Sequence, residues 1–308
     1  MHLKIYQTDL LDAFATYLQR CRDLNDPKAA EVAYQESVRA WRNLSFNSPY
    51  SPLPGAEEVP YVCLRVPTGG GKTFLAAHAI EMVHNHYLPS KFTLTLWLVP
   101  SDAIRKQTLK ILKNKRHPLT RSLSSAIGAI ETLDIEESLY LKPSTLDSAH
   151  TIIVATMQSF KRDDKTGLRV HRENGELMEH FTRHPKAADE GKHSLVDALR
   201  LRLRHPFIIL DETHNNGSPL AMDTLAAFRP STVLELTATR IDQHPNVKWW
   251  VRNVEKQLGA FWLQTSRDRF FPDFIAELHD GTIAIIEYKG DFLKEKKSEM
   301  EKKDIGEL

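Results

Sequence analysis

Two groups of residues in this chain have the types and spacing of working chemistry. The first is Pro67-Thr68-Gly69-Gly70-Gly71-Lys72-Thr73, with Asp211-Glu212-Thr213-His214 downstream. A glycine loop between a strand and a helix lets backbone N–H groups point at phosphate oxygens, and the helix N-terminus adds a favourable field. Lys72 then reaches the outer phosphates, and Thr73 helps to hold Mg²⁺. Asp211 and Glu212 follow an apolar run, which assigns Asp211 to the metal and Glu212 to activation of an attacking water. The expected ATP site is therefore Thr68, Gly69, Gly70, Gly71, Lys72 and Thr73, with Asp211, Glu212 and His214 completing it. The generic eight-residue phosphate-loop pattern wants Gly where Val66 stands, so the match is incomplete at that position.

The second group is Pro272-Asp273 followed by Glu287-Tyr288-Lys289-Gly290. Side chains alternate along a strand, so Glu287 and Lys289 fall on one face. A hairpin partner carrying Asp273 brings a second carboxylate to the same place. Two carboxylates can hold a divalent ion that activates water and steadies the charge developing on a phosphodiester. Lys289 orients the water or meets the phosphate. A Glu-x-Lys pair also occurs as a plain ion pair on an edge strand; the preceding Pro-Asp and the intervening hairpin favour the metal-dependent reading.

Both groups need a frame. Apolar runs at residues 61–66, 92–99, 151–155, 207–210 and 233–236 alternate with helix-forming stretches, such as 72–86 and the one starting near residue 102. Short strands separated by helices predict a RecA-like α/β domain, a parallel sheet with helices on both faces. Polar residues just past the strand ends are where such sheets hold ligands. Residues 8–24 and 33–44 have helical spacing, and Pro49, Pro52, Pro54 and Gly55 punctuate a loop after them. Residues 161–205 are polar and histidine-bearing, an insertion with a helix near 195–203. Its histidines (His171, His180, His184, His193, His205) lack metal-ligand spacing and read as surface residues.

Character changes near Pro245. Residues 247–258 read as helix, 261–264 as extended chain, and 274–278 with 283–288 as a hairpin around His279-Asp280-Gly281. A charged, helix-prone tail covers 292–308. The expected division is 1–242 for the nucleotide-binding domain and 243–308 for a small α/β nuclease-like domain.

The formal net charge of the 308 residues is +1, so bulk electrostatics does not announce a nucleic-acid partner. The distribution says more: residues 101–121 carry seven Lys/Arg (Arg105, Lys106, Lys110, Lys113, Lys115, Arg116, Arg121) against one acid, Asp102. A phosphate-facing surface and a solvated helix face both fit that pattern. Cys21 and Cys63 are isolated and imply no disulfide framework. With no apolar leader and no run of the ~18 apolar residues a spanning helix needs, the expected setting is cytoplasmic.

The ordered motifs resemble the first motor domain of superfamily 2 helicases and translocases, of the Asp-Glu-x-His kind. The resemblance covers roughly residues 3–242. It implies that Gln7 reads adenine, and that Ser101, Thr156 and Gln158 touch the nucleic-acid backbone. It also implies that Thr237-Ala238-Thr239 links hydrolysis to strand handling. Phe270-Phe271-Pro272-Asp273-Phe274 and Ile286-Glu287-Tyr288-Lys289-Gly290 resemble the Pro-Asp…(Asp/Glu)-x-Lys core at the C-terminal end of type III restriction-enzyme Res subunits. There Asp273 and Glu287 hold metal, and Glu255 is an additional acid on the lead helix.

The resembled motors grip ATP between two similar domains, and no sequence for a second one separates Thr239 from the nuclease-like part. The chain is therefore expected to be a shortened homologue, a remnant or a fragment of an ATP-dependent DNA helicase–endonuclease. Expected cofactors are ATP and Mg²⁺. The expected partner is DNA, double-stranded by preference, with a methyltransferase/specificity subunit or self-association implied by the resemblance. Two alternatives stay open: a nucleotide- and DNA-binding accessory protein without turnover, and an ATP-independent metal-dependent nuclease.

Overall fold

Leu94-Thr95-Leu96-Trp97-Leu98-Val99 offers an almost unbroken apolar run on both faces, which only a strand covered on both sides can bury. In the computed structural model it does so. The structure describes residues 3–24, 26, 28–40, 50–66, 70–88, 92–160, 169–182, 193–201, 205–211, 219–237, 247–252, 261–264, 269–270, 272 and 274–286. Its first elements are helices α1 (Ile5–Leu24) and α2 (Ala29–Ala40), then strand β1 (Tyr61–Arg65), helix α3 (Lys72–His86) and strand β2 (Leu94–Val99). Next come α4 (Asp102–Lys113), α5 (Pro118–Ile127), β3 (Ile130–Asp134), α6 (Ile135–Ser138), α7 (Pro143–Ser148) and β4 (His150–Thr156). After short helices α8 (Met178–Thr182) and α9 (Leu195–Leu201) follow β5 (Phe207–Asp211), α10 (Pro219–Ala227) and β6 (Thr232–Thr237).

These strands form one sheet in the order β1-β6-β5-β2-β4-β3. The β2–β4, β2–β5, β3–β4 and β5–β6 pairings are all parallel. Two side-chain bonds tie β1 to β6: Tyr61 donates its hydroxyl to Glu235 at 2.7 Å, and Thr232 donates to the Pro60 carbonyl at 2.9 Å. Burial, with the neighbouring Glu235 carboxylate, holds the Tyr61 hydroxyl far above its ordinary range, so it stays a donor. The five strands anticipated from apolar runs are all present. β3 was not anticipated, because an edge strand reading Ile-Glu-Thr-Leu-Asp buries only Thr132 fully and lacks a continuous apolar signal.

The polar stretch after β4 is more integrated than its composition suggests. Its few apolar residues, Val170, Leu177, Phe181, Leu195, Val196, Ala198 and Leu199, join the same core as Leu96, Leu98, Ile153, Ala155, Ile208 and Leu210. His180 corrects the surface reading: it is 3% exposed and its Nε2–H donates to the Leu141 carbonyl at 2.7 Å. A carbonyl only accepts, so the tautomer follows from geometry. His171 likewise meets the Phe160 carbonyl at 3.2 Å. None of the described helices is long and apolar enough to cross a membrane.

Contacts divide the chain into two units, Met1–Leu64 with Thr73–Thr237, and Arg65–Lys72 with Ala238–Leu308. In the second unit, β7 (Val247–Arg252), β10 (Phe274–Leu278) and β11 (Ile283–Ile286) form an antiparallel sheet in the order β11-β10-β7. Between them in sequence, β8 (Leu263–Gln264) and β9 (Arg269–Phe270) pair by themselves. The expected helix at 247–258 is therefore wrong over Val247–Arg252, and 253–258 lie outside the described residues. Val247, Trp249, Trp250 and Val251 suit a pleated surface, and pairing of Trp250 with Ala276 and Val251 with Ile275 decides the matter. The β10–β11 hairpin turns where Asp-Gly predicts: Gly281 has φ 86°, and Asp280 accepts from the Thr282 amide at 2.9 Å.

Candidate functional site

The glycine loop leaves β1 and enters α3. Among its described residues Gly70 is buried and Gly71 has φ 81°, a left-handed conformation that glycine adopts without steric cost. Lys72 is the first residue of α3 and only 9% exposed; Thr73 is half-buried. Behind them Leu75, Ala76, Ala77, Ala79, Ile80 and Val83 are buried at 0–1% exposure, which anchors the helix. A sharp glycine turn into an anchored helix N-terminus aims backbone N–H groups at one place and suits a phosphate.

At the other strand ends, β5 is buried along its whole length and closes on Asp211, 5% exposed and in register with Leu236. A carboxylate at the carboxyl end of an apolar strand is a fitting cation ligand. β2 pairs Val99 with Thr156, the last residue of β4, and Leu98 with Leu210, the residue before Asp211. Asp211, Val99 and Thr156 thus mark one edge of three adjacent strands, with outer strands about 10 Å apart. The chain leaves β2 toward β4 and β3 but leaves β5 toward β6, so connections diverge between β5 and β2. Open α/β sheets form their ligand crevice at such a point, outside the carboxyl ends.

Ser101 caps α4, its Oγ accepting from the Ile104 amide at 3.4 Å, and it remains exposed. Thr156 shares a hydroxyl–hydroxyl bond of 3.1 Å with Ser159 across a short 3-10 turn, Met157–Ser159, that leaves Gln158 exposed. Ser159 closes the Thr156-Met157-Gln158-Ser159 segment, whose resemblance implies contact with the nucleic-acid backbone. The structure thus brings Ser101, Thr156 and Asp211 to one sheet edge. Gln7 is 5% exposed, and its Oε1 accepts from the Lys4 amide at 2.9 Å, a helix-capping bond.

Thr68, Gly69, Glu212, His214, Glu255, Asp273, Glu287 and Lys289 lie outside the described residues, as do Ala238 and Thr239. Among the described residues no group of His, Cys, Asp or Glu is arranged to hold a metal ion by itself. The basic segment is partly neutralised. Arg105 bonds Asp102 at 2.8 Å and lies 3.9 Å from Asp134, and Lys113 meets Glu137 at 2.5 Å. The hydrogen bond from Arg105 holds the Asp102 carboxyl below its usual range.

A family model described as "Type III restriction enzyme, res subunit" matches residues 1–242 of the chain. No curated protein matches the chain.

Proposed function

Taking as premise that this chain belongs to the type III restriction enzyme res subunit family, we propose that it is an ATP-dependent DNA translocase–endonuclease. Membership carries the ATP-dependent, helicase-like part. The observation that supports the nucleotide assignment is the left-handed turn at Gly71, placed directly before the anchored N-terminus of α3. In this reading Thr68, Gly69, Gly70, Gly71 and Lys72 take the phosphates, and Thr73 and Asp211 hold Mg²⁺. Glu212 orients the water with His214 beside it, and Gln7 reads adenine. Mg²⁺ held there would neutralise charge on the phosphates. Ser101, Thr156 and Gln158 take the DNA backbone; such contacts position a strand and carry no sequence information.

ATP turnover is the direct test. Duplex DNA is expected to raise Mg²⁺-dependent hydrolysis by the 308-residue chain several-fold over the DNA-free rate. Folded protein that binds nucleotide and DNA without hydrolysing would instead make it an accessory binding protein. Activity in the isolated chain also asks whether a second ATP-gripping surface comes from another copy. A second copy and a methyltransferase or specificity subunit are the further partners of this proposal.

The endonuclease half rests on Asp273, Glu287 and Lys289. Supporting it, the β10–β11 register runs as far as Phe274 opposite Ile286, the residues next in sequence to Asp273 and Glu287. Mg²⁺-dependent cutting of duplex DNA is expected, and Asp273→Ala should reduce it at least about 100-fold by removing a ligand to the water-activating ion. Cutting that survives this substitution at the parental rate rules out the assignment.

A further inference from the structure

The basic segment after β2 is not absorbed by the site above. Seven cations crowd residues 101–121, and the structure separates them into two sets. Arg105, Lys106 and Lys113 have carboxylate partners in Asp102, Asp134 and Glu137. Lys110, Lys115, Arg116 and Arg121 are exposed, and none of them has a carboxylate partner among the described residues.

Local stability does not account for the second set. Lys110 lies in the last turn of α4, where a cation complements the helix dipole. Lys115 and Arg116 lie beyond that turn. Arg121 occupies the first turn of α5, which has no acid to offset it, and there the dipole opposes a positive charge. The turn that carries these groups is held firmly. Thr120 donates to the Ile111 carbonyl at 2.8 Å, and the Arg116 amide donates to Asn114 Oδ1 at 3.0 Å. His117 caps α5 by accepting from the Leu119 amide at 3.3 Å. Fixed backbone, exposed cations without a carboxylate partner among the described residues, and the positive end of α5 therefore fall within one short segment, residues 110–121, which suits an anion of extended shape.

We propose that Lys110, Lys115, Arg116 and Arg121 form a contact surface for the phosphate backbone of duplex DNA, distinct from the strand-end residues Ser101 and Thr156. The proposal rests on the DNA-dependent reading above. α4 starts at the carboxyl edge of the sheet and carries the chain about 18 Å along its axis before reaching Lys115. At a rise of about 3.4 Å per nucleotide, that length spans roughly five phosphates of one strand. One duplex can thus lie along α4 and reach both ends, which adds affinity without adding sequence information.

Counterion release gives the test a readout that structural damage would not imitate. Binding of a fluorescent 30-base-pair duplex to the full chain is measured between 50 and 200 mM salt. In the combined Lys110→Gln, Lys115→Gln, Arg116→Gln, Arg121→Gln variant, the slope of log K against log salt should shrink by about 2 to 4. Low-salt affinity should fall at least about tenfold. A control replaces four cations that do have partners, Arg20, Arg22, Lys142 and Arg169, and removes the same net charge. An unchanged slope in the first variant, or an equal loss in the control, overturns the proposal and leaves the ATP-dependent reading standing. Failure of the parent chain to bind DNA at any salt overturns both; an acidic protein that competes with DNA only in the parent supports the surface.

Discussion

Lys72→Ala is expected to lower ATP turnover by at least about 100-fold while the fold survives. A preorganised charge at developing phosphate charge is worth two to three powers of ten, and the family's motors place a lysine there. The geometry makes this residue hard to replace. It opens α3 beside a left-handed glycine and is 9% exposed, so its position is set by the turn and not by side-chain flexibility. Alanine is the best helix former, so the helix itself should not suffer. Lys72→Arg separates charge from shape: it keeps the cation but replaces a compact ammonium with a planar fork, and recovery should be partial at most. Steady-state hydrolysis with circular dichroism as the fold control measures the effect. Parental turnover in the alanine variant would remove Lys72 from the phosphate site.

Phe160→Ala should be the most damaging single core change considered, lowering unfolding free energy by about 3–5 kcal/mol. Phe160 is fully buried, and its ring meets Phe228 edge-on with centroids 5.0 Å apart. It also joins the β-sheet core to the stretch that follows β4, because Leu177 and Phe181 belong to the same cluster and His171 bonds its carbonyl. Removing the ring leaves a cavity between elements that are far apart in sequence, and the edge-on aromatic pair is lost with it. Phe160 follows directly on the Met157–Ser159 turn, so the Thr156–Ser159 bond should loosen as well. Urea unfolding gives the stability change, and DNA stimulation of ATP hydrolysis gives the functional one. A loss under about 1 kcal/mol would show that the pocket closes over the missing ring.

The parallel-sheet half was readable because its signals are local. A glycine loop, an apolar strand ending in Asp211 and the run 94–99 each declare themselves within a few residues. Side-chain periodicity and backbone permissiveness are properties of short segments. Where competing signals were also local, the reading failed: residues 247–252 carry aromatic and β-branched side chains that fit a helix face or a pleated strand. Only the partner strand β10 distinguishes the two.

By itself the sequence determined that β-rich runs alternate with helices, that Gly71 and Lys72 open a helix, and that acids and hydroxyls cluster just past strand ends. It could not decide the order β1-β6-β5-β2-β4-β3, the edge strand β3, or the packing of Val170, Phe181 and Leu199 into the main core. Nor could it separate Arg105 and Lys113, neutralised by acids on β3 and α6, from Lys110, Lys115, Arg116 and Arg121. Pairing across a sheet and ion pairing between elements join residues tens of positions apart. Their free energy exists only once the chain has closed those loops, so the tertiary structure alone settles which strand ends and which charges share a surface.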